Sequence, residues 1–315
     1  MSDDGLKLFT SPALLGVFDG IRGFSLRYMV CQSDSGADIA ICPVFTRDKF
    51  GIKTLANPPL LPYNEITYIG IDSIPVNKQA EYQLEINQTL AEHLRIFSRR
   101  AFFALHPNHS DIRGFTGKKF QATPLYTNRI NLETWNPADY RSSRKNDLKK
   151  MSKYKVTLIE GFNAESLIEL ADKTYARKGK KLPLTNAEQK QLLTHLEKNN
   201  TAVQYSLLIN DKLAAVKLTL LEPSTGTAYA WQGYNDPEFL SLGVSTRFTH
   251  EMLVLLKEQG YRHYDFCGAN VLSIASFKAG FGGEVTVYYK LTFSDVPLLD
   301  ALYRMWKYVR GLFRP

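Results

Sequence analysis

The chain has 315 residues, of which 44% are apolar and 12% aromatic, enough for more than one packed core. The cysteines Cys31, Cys42 and Cys267 are too few and too scattered for a disulfide framework or a zinc cluster, and the six histidines show no zinc-type spacing, so no metal site is expected. The first residues are acidic and no apolar run reaches the length of a membrane span, which predicts a cytoplasmic protein.

The net charge of +8 is concentrated in two places. Residues 141–155 contain seven basic side chains and one acid, and residues 177–181 contain four more bases. Without these two runs the chain is slightly acidic. A basic patch attracts phosphate groups, whether they belong to a nucleotide, tRNA, coenzyme A or an anionic lipid. A solvated helix face is an equally good interpretation of such a run.

The N-terminal part reads as a short mixed domain. Alternating apolar residues predict two strands over residues 24–32 and 37–45, joined by a turn of Ser, Asp and Gly into a hairpin. A proline-rich loop follows, then a strand over 66–71 and a helix over 81–99 with apolar residues in register. Further strands are expected over 101–105 and 124–132.

A basic helix is expected to link this part to the rest of the chain. Asn136 can cap a helix and Pro137 suits its first turn, so the helix is predicted over residues 136–153. It has few apolar residues and belongs on the surface. Two amphipathic helices follow, and the second opens with a possible capping box of Thr185 and Glu188.

The remaining pattern is three strands in a meander, a helix, a strand, a short helix and a strand. The meander strands are expected over residues 203–210, 212–222 and 227–235. This is the element order of the GNAT acyltransferase fold, and the N-terminal part shows a looser version of it. The expected fold class is therefore α/β (α+β), with tandem GNAT-like domains that each have a mixed, mostly antiparallel sheet flanked by helices. A degenerate domain is expected over 1–135 and the acyltransferase domain over 136–315.

Several short motifs in the C-terminal part resemble the FemAB-like family. They are an aromatic strand ending near Gly233, a Leu-Gly loop opening a helix, a strand ending Tyr264–Gly268, and Phe277-Lys278 leading to Phe281-Gly282-Gly283. The likeness extends to the basic residues 141–156 and to 174–183, and before residue 136 it is thin. Members of this family pair two GNAT-like domains. The best-known ones transfer an amino acid from aminoacyl-tRNA to the peptide of a cell-wall precursor.

The resemblance implies an N-acyltransferase that moves an aminoacyl or acyl group to an amine of a cell-envelope precursor. Its cosubstrate would be aminoacyl-tRNA or acyl-coenzyme A, with no permanently bound cofactor. One alternative is an acetyl- or acyl-coenzyme A-dependent N-acetyltransferase that acts on a sugar amine or a small metabolite. Another is a catalytically silent protein that binds RNA or an anionic membrane through the basic helix.

Lys278 and Asp265 are the candidate catalytic residues. The family assigns the lysine of its Phe-Lys pair to the oxyanion of the tetrahedral intermediate, and Lys278 occupies that position. A surface lysine before a turn is the plainer interpretation. Asp265 ends a strand, where it could accept the amine proton, hold the ammonium group or cap the following helix.

Other residues are candidates for binding the donor or substrate. Coenzyme A-dependent GNAT enzymes bind pyrophosphate with a loop that carries a leading Arg or Gln and two small residues, but residues 241–247 lack the arginine and one glycine. Backbone N–H groups at this helix start could still bind a phosphate. The donor- or substrate-binding candidates are Phe277, Tyr229, Trp231, Tyr234, Gly243, Ser245, Arg247, Gly268 and Arg177.

The C-terminal tail, residues 297–315, carries apolar residues near one face and bases around the other. This pattern is typical of an interfacial membrane helix, which would place the protein peripherally on the inner face of the membrane. A terminal helix docked on the second domain explains the same pattern and is the favoured interpretation. The expected partners are a phosphate-bearing acyl donor, tRNA among the candidates, and an amine-bearing acceptor. The sequence does not indicate an oligomeric state.

Overall fold

The computed structural model describes residues 6–49, 51–297 and 305, which form eight α-helices and twelve strands. The helices are α1 (Pro12–Leu15), α2 (Val76–Phe97), α3 (Arg113–Gly117), α4 (Ser142–Met151), α5 (Ala164–Arg177), α6 (Asn186–Lys198), α7 (Val244–Glu258) and α8 (Leu272–Ala279). The strands are β1 (Ser25–Gln32), β2 (Asp38–Lys49), β3 (Ile52–Ala56), β4 (Thr67–Tyr68), β5 (Arg100–Ala104), β6 (Gln121–Asn131), β7 (Val156–Glu160), β8 (Ala202–Ile209), β9 (Lys212–Glu222), β10 (Thr227–Asn235), β11 (His263–Asp265) and β12 (Glu284–Ser294).

The chain forms two compact units, and neither is continuous in sequence. The first unit comprises Met1–Ile21, Pro59–Pro62 and Leu125–Val287, and the second comprises Arg22–Pro58, Tyr63–Pro124 and Tyr288–Pro315. The domain boundary expected from the sequence lies after residue 135 instead. The difference arises because the N-terminal segment contacts the first unit: the Leu8 N–H donates to the Glu222 carboxylate, and Phe9 packs edge-on against Tyr229.

The first unit contains the strand order β6-β11-β10-β9-β8-β7. All neighbouring pairs are antiparallel except β10 and β11, which are parallel. Strands β8 and β9 are buried at nearly every position, so both sheet faces are covered. Helices α5 and α7 both contact β9 and β10. The apolar face of α7 enters the core through Phe248, Met252 and Leu256.

The second unit contains the strand order β1-β2-β3-β5-β12, with β4 paired to β2. Strands β1, β2 and β3 form an antiparallel meander, and β5 is parallel to β3. Helix α2 buries Ile86, Leu90 and Leu94 in a core that also contains Phe103 and Phe115. Each unit therefore contains a three-strand meander, a helix and a strand parallel to the last meander strand. The expected mixed, mostly antiparallel architecture is confirmed in both.

Most predicted elements lie where the periodicity places them. The N-terminal hairpin, the meander and the capping box of Thr185 and Glu188 are all present. The basic helix is shorter than predicted, because Asn136 and Pro137 start only a single 3-10 turn. Tyr140 is then extended and buried, and the α-helix begins at Ser142. The strand predicted over 66–71 is reduced to Thr67–Tyr68.

Two further expectations concern membranes and the tail. Within the described ranges, no helix combines the length and the apolar character that a bilayer span requires. The proposed C-terminal helix over 297–315 lies almost entirely outside the described residues. Its contact with a membrane stays a prediction.

Candidate active site

The candidate site lies where two parallel strands stop pairing. Strand β10 pairs with β11 only over Thr227–Tyr229, and a register shift against β9 follows at Trp231. Beyond those pairs is a cavity of about 320 Å³, lined by Ala230–Gly233 and Asn235, by Phe266 and Cys267, and by side chains of β9, α7 and α8. A bulge next to the end of a paired segment turns side chains towards such an opening.

Lys278 forms one wall of this cavity. Its Nζ donates to the Phe266 carbonyl at 2.7 Å and also to the Gly268 carbonyl. An ammonium group has three N–H donors, so one remains without a partner among the described residues. Burial lowers the pKa of Lys278, while the nearby Cys267 and Asp265 act in the opposite direction. The two backbone carbonyls also favour the charged form.

Asp265 lies beneath this wall and not on it. The carboxylate is fully buried, and its Oδ1 accepts from the Thr127 hydroxyl and the Cys267 N–H, both at 2.7 Å. Thr127 in turn accepts from the Gly268 N–H at 3.0 Å. Asp265 thus holds the turn at Cys267 and Gly268, whose φ angles are 52° and 100°. This turn presents the carbonyls that bind Lys278.

Cys267 lines the cavity but is not prepared as a nucleophile. Burial raises the pKa of its thiol well above the ordinary value, and the neighbouring Asp265 carboxylate raises it further. The thiol is therefore protonated at neutral pH, whereas thiolates are the reactive form.

A second lysine, Lys217 of β9, faces the same cavity. Its Nζ donates to the Thr249 hydroxyl of α7 at 2.7 Å and lies 5.0 Å from the Phe248 ring centroid. Burial, and then the like charge of Lys278, lower the pKa of Lys217 to about 7. Its side chain keeps partial exposure because it borders the cavity.

Three buried polar atoms on the cavity wall have no hydrogen-bond partner among the described residues. They are the Thr219 hydroxyl, the Gln232 amide nitrogen and the Tyr264 hydroxyl. Leaving such a group unpaired costs about 1–3 kcal/mol. All three belong to residues that line the cavity, which gives its wall a polar character.

The start of α7 is closed by a contact from α4. Gly243 caps α7 with a φ of 92°, and a Cβ at this position would lie 2.8 Å from the Cβ of Asp147. The Thr246 hydroxyl donates to Asp147 Oδ2 at 2.6 Å and accepts from Arg144 at 2.9 Å. The Arg144 guanidinium also lies over the Phe277 ring, at 4.8 Å. A carboxylate thus already occupies the positive end of this helix.

The structure distributes the predicted site residues unevenly. Four of them line the cavity: Trp231, Ser245, Phe277 and Lys278. Gly268 holds Lys278 from the adjacent turn. The others are engaged elsewhere: Tyr229 donates to Glu222, Tyr234 donates to Gln232, Arg247 pairs with Glu251, Gly243 meets Asp147, and Arg177 is exposed at the end of α5.

Lys217 and its partner Thr249 were not predicted as site residues from the sequence. Lys217 carried a usable signal. It stands between Val216 and Leu218 in a largely apolar strand, where a charged side chain is rare. Thr249 carried no such signal, because a threonine on a helix is ordinary. Among the described residues no cluster of three or more metal-ligating side chains occurs.

Comparison with known families identifies the domain around this cavity. Residues 139–279 match the model described as an acetyltransferase (GNAT) domain. This range contains both cavity lysines and runs from the end of the Pro137–Asp139 turn to the end of α8. The chain is accordingly an acyltransferase, and a GNAT domain implies an acyl-coenzyme A cosubstrate.

Solved structures of similar fold cover nearly the whole chain. FemX aligns with a TM-score of 0.62 at 11% identity, covering 91% of this chain and 93% of that one. The C-terminal domain of a putative lysylphosphatidylglycerol synthetase from Agrobacterium fabrum aligns with 0.59 at 13% identity, covering 92% and 89%. A tandem GNAT protein from the clavulanic acid biosynthesis pathway aligns with 0.51 at 10% identity, covering 87% and 83%.

At these identities the likeness is one of fold. It agrees with the GNAT domain and with the expected resemblance to FemAB-like proteins. Comparison with curated protein sequences finds no significant match.

Proposed function

We propose that the protein is a FemAB-like N-acyltransferase that moves an aminoacyl or acyl group to an amine of a cell-envelope precursor. The observation that carries the proposal is the ammonium group of Lys278, fixed by two backbone carbonyls beside a cavity with unpaired polar groups. In support, the solved structures of similar fold include FemX and a putative lysylphosphatidylglycerol synthetase domain, whose named product is an aminoacylated membrane lipid.

In this reaction the amine attacks the carbonyl carbon of the donor, and the carbonyl oxygen becomes an oxyanion. The third N–H of Lys278 is available to donate to that oxygen. Because the ammonium group is already held in place, it needs no reorganisation as the charge develops. Asp265 acts as a positioning residue, since it holds the turn that holds Lys278. Phe277, Trp231 and Ser245 line the cavity where the acyl group would sit.

The contact at the start of α7 favours an aminoacyl donor over coenzyme A. A pyrophosphate on the N–H groups of this helix would meet the Asp147 carboxylate, which is bound to Thr246 and lies 3.5 Å from Arg144. Two like charges at one helix start repel each other. The exposed bases of α4, including Lys145, Lys149 and Lys150, remain available for the phosphates of tRNA.

The test is a transfer assay with two donors. The purified chain is mixed with tRNA charged with labelled amino acids, or with labelled acetyl-coenzyme A, and with a cell-wall precursor peptide that carries a free amine. Mass spectrometry of the peptide measures the transfer. We expect transfer from aminoacyl-tRNA, and a kcat about 10²–10³-fold lower in Lys278→Met, the usual cost of removing an oxyanion donor.

The matched control is Lys198→Met, an exposed lysine at the end of α6. It should leave transfer unchanged, and both variants should keep the melting temperature within a few degrees. Equal turnover in Lys278→Met and the wild type would remove the oxyanion role. Transfer from acetyl-coenzyme A alone would favour the second candidate, an acyl-coenzyme A-dependent N-acetyltransferase, for which the family model is the supporting observation.

A further inference from the structure

Lys217 lines the cavity, but the proposed binding of the oxyanion by Lys278 gives it no role. It belongs to a central strand of the sheet and shares its cavity with Lys278, Tyr264 and Cys267. Its one hydrogen bond is to the Thr249 hydroxyl, which itself donates to the Ser245 carbonyl. No carboxylate pairs with Lys217 anywhere in the described part of the chain. A lysine largely removed from water is costly without a partner carboxylate, so its place beside a reaction cavity calls for a chemical explanation.

The two cavity lysines have opposite environments. Lys278 is held by two carbonyl oxygens and lies near the Asp265 carboxylate, which stabilise its positive charge. Lys217 has one hydroxyl oxygen, an aromatic ring and a neighbouring ammonium group. Groups whose surroundings separate their protonation states in this way are the usual acid and base partners of an active site.

We propose that Lys217 is the general base that deprotonates the acceptor ammonium group, while Lys278 stays charged for the oxyanion. The inference rests on the proposed N-acyl transfer. The neutral Lys217 amine takes one proton from the acceptor's ammonium. The freed amine forms a C–N bond to the donor carbonyl carbon, and the oxyanion collapses as the bond to the leaving oxygen breaks. That oxygen takes the second amine proton, and Lys217 releases its proton to solvent.

The charge state of Lys217 depends on the groups that surround it. Lys278 from α8 is the charged one. Tyr205 lies opposite Lys217 on β8, and burial raises its pKa to about 12. Burial also raises the pKa of Tyr264 and of Cys267, so these groups are uncharged at neutral pH. The like charge of Lys278 therefore adds to burial in keeping Lys217 neutral.

The sign of the pH dependence follows. Lys217 must be neutral to accept a proton, so the rate should rise as pH increases through about 7 and then level off. Folding is coupled to the same group, because the unfolded chain binds a proton on Lys217 up to pH 10.5 and the folded chain only up to about 7. The stability cost of Lys217 is thus full below pH 7 and disappears as pH rises towards 10.5.

The first experiment needs no known substrate. Trace labelling with acetic anhydride between pH 5.5 and 11, followed by peptide mass spectrometry, measures the protonation of Lys217 in the full chain. We expect a midpoint near pH 7, against about 10.4 for added acetyl-lysine amide as the reference. Lys278→Met should move the Lys217 midpoint upwards, because the like charge is removed. A midpoint near 10 in the wild type would overturn the proposal.

The second experiment uses the transfer assay. Lys217→Met should lower the rate at pH 7.5 by about 10²–10⁴-fold and abolish the rise near pH 7. Lys217→Arg should be equally impaired, because a guanidinium keeps the charge but does not lose its proton. Lys212→Met, an exposed lysine at the start of the same strand, is the control and should behave as the wild type.

Hydroxylamine as the acceptor separates a base from a merely structural lysine. It is mostly uncharged at neutral pH and needs no base, so the deficit of Lys217→Met should shrink at least tenfold with it. Full activity in Lys217→Arg would mean that the positive charge is what matters, and would overturn the proposal. Absence of transfer by the wild type from either donor would instead reject the proposed function, while the labelling midpoint would still report on Lys217.

Discussion

Two regions of the GNAT domain could bind an acyl donor, and they differ in whether their own polar groups have hydrogen-bond partners. In the cavity beyond the paired part of β10 and β11, Thr219, Gln232 and Tyr264 have polar atoms without a partner among the described residues. At the start of α7, by contrast, Thr246, Asp147 and Arg144 satisfy one another.

The difference indicates which region is prepared for a ligand. Unpaired buried groups raise the free energy of the folded protein, and a bound ligand or an ordered water can supply the missing partner. A helix start that already holds a carboxylate gains nothing further from an anion. Two questions follow. One is whether the turn at Cys267 and Gly268, which borders the cavity, depends on Asp265. The other is whether Asp147 closes the start of α7.

The largest effect is expected at the scaffold of the cavity. Asp265→Ala should lower the free energy of unfolding by about 3–5 kcal/mol, because the Thr127 hydroxyl and the Cys267 N–H lose their acceptor in a buried site and Arg129, 3.6 Å away, loses its partner charge. Urea denaturation measures the change.

Glu92→Ala is the matched control, since this exposed carboxylate on α2 pairs with Lys118 at the surface. It should leave the free energy of unfolding almost unchanged. A similar small change in Asp265→Ala would show that the turn at Cys267 and Gly268 does not depend on the carboxylate.

The sequence predicted the fold better than the site. The period of apolar residues and the cap at Thr185 are local signals, and the helices and strands they indicate are present. Phe277 and Lys278 could be placed in the cavity by family resemblance. The engagement of Asp147 with Thr246 could not be predicted, because it joins residues 99 positions apart and neither has a local signature. For the same reason, the sequence could not show that the Asp265 carboxylate lies behind the cavity wall instead of facing the cavity.

A medium effect is expected where α4 meets α7. Gly243→Ala places a methyl group 2.8 Å from the Asp147 side chain and requires a φ of 92° from a residue that disfavours it. The expected loss is about 2–3 kcal/mol of the free energy of unfolding, from overpacking together with backbone strain.

Gly36→Ala serves as the control, because φ is 83° there but no atom lies within 4 Å of the added carbon. It should show the backbone cost alone, about 1 kcal/mol. Equal losses at the two positions would mean that α4 moves away easily and that the start of α7 is less firmly closed than the contacts indicate.

The smallest effect on stability, but the sharpest test of the comparison, is expected from Asp147→Ala. Loss of the carboxylate removes a favourable charge from the start of α7, worth about 1 kcal/mol, and leaves the Thr246 hydroxyl without its acceptor. Inorganic pyrophosphate should then raise the melting temperature of the variant while leaving the wild type unchanged. Glu92→Ala controls for general charge effects. If pyrophosphate stabilised the wild type as much as Asp147→Ala, the start of α7 would be an open anion site, and coenzyme A would regain its place as the donor.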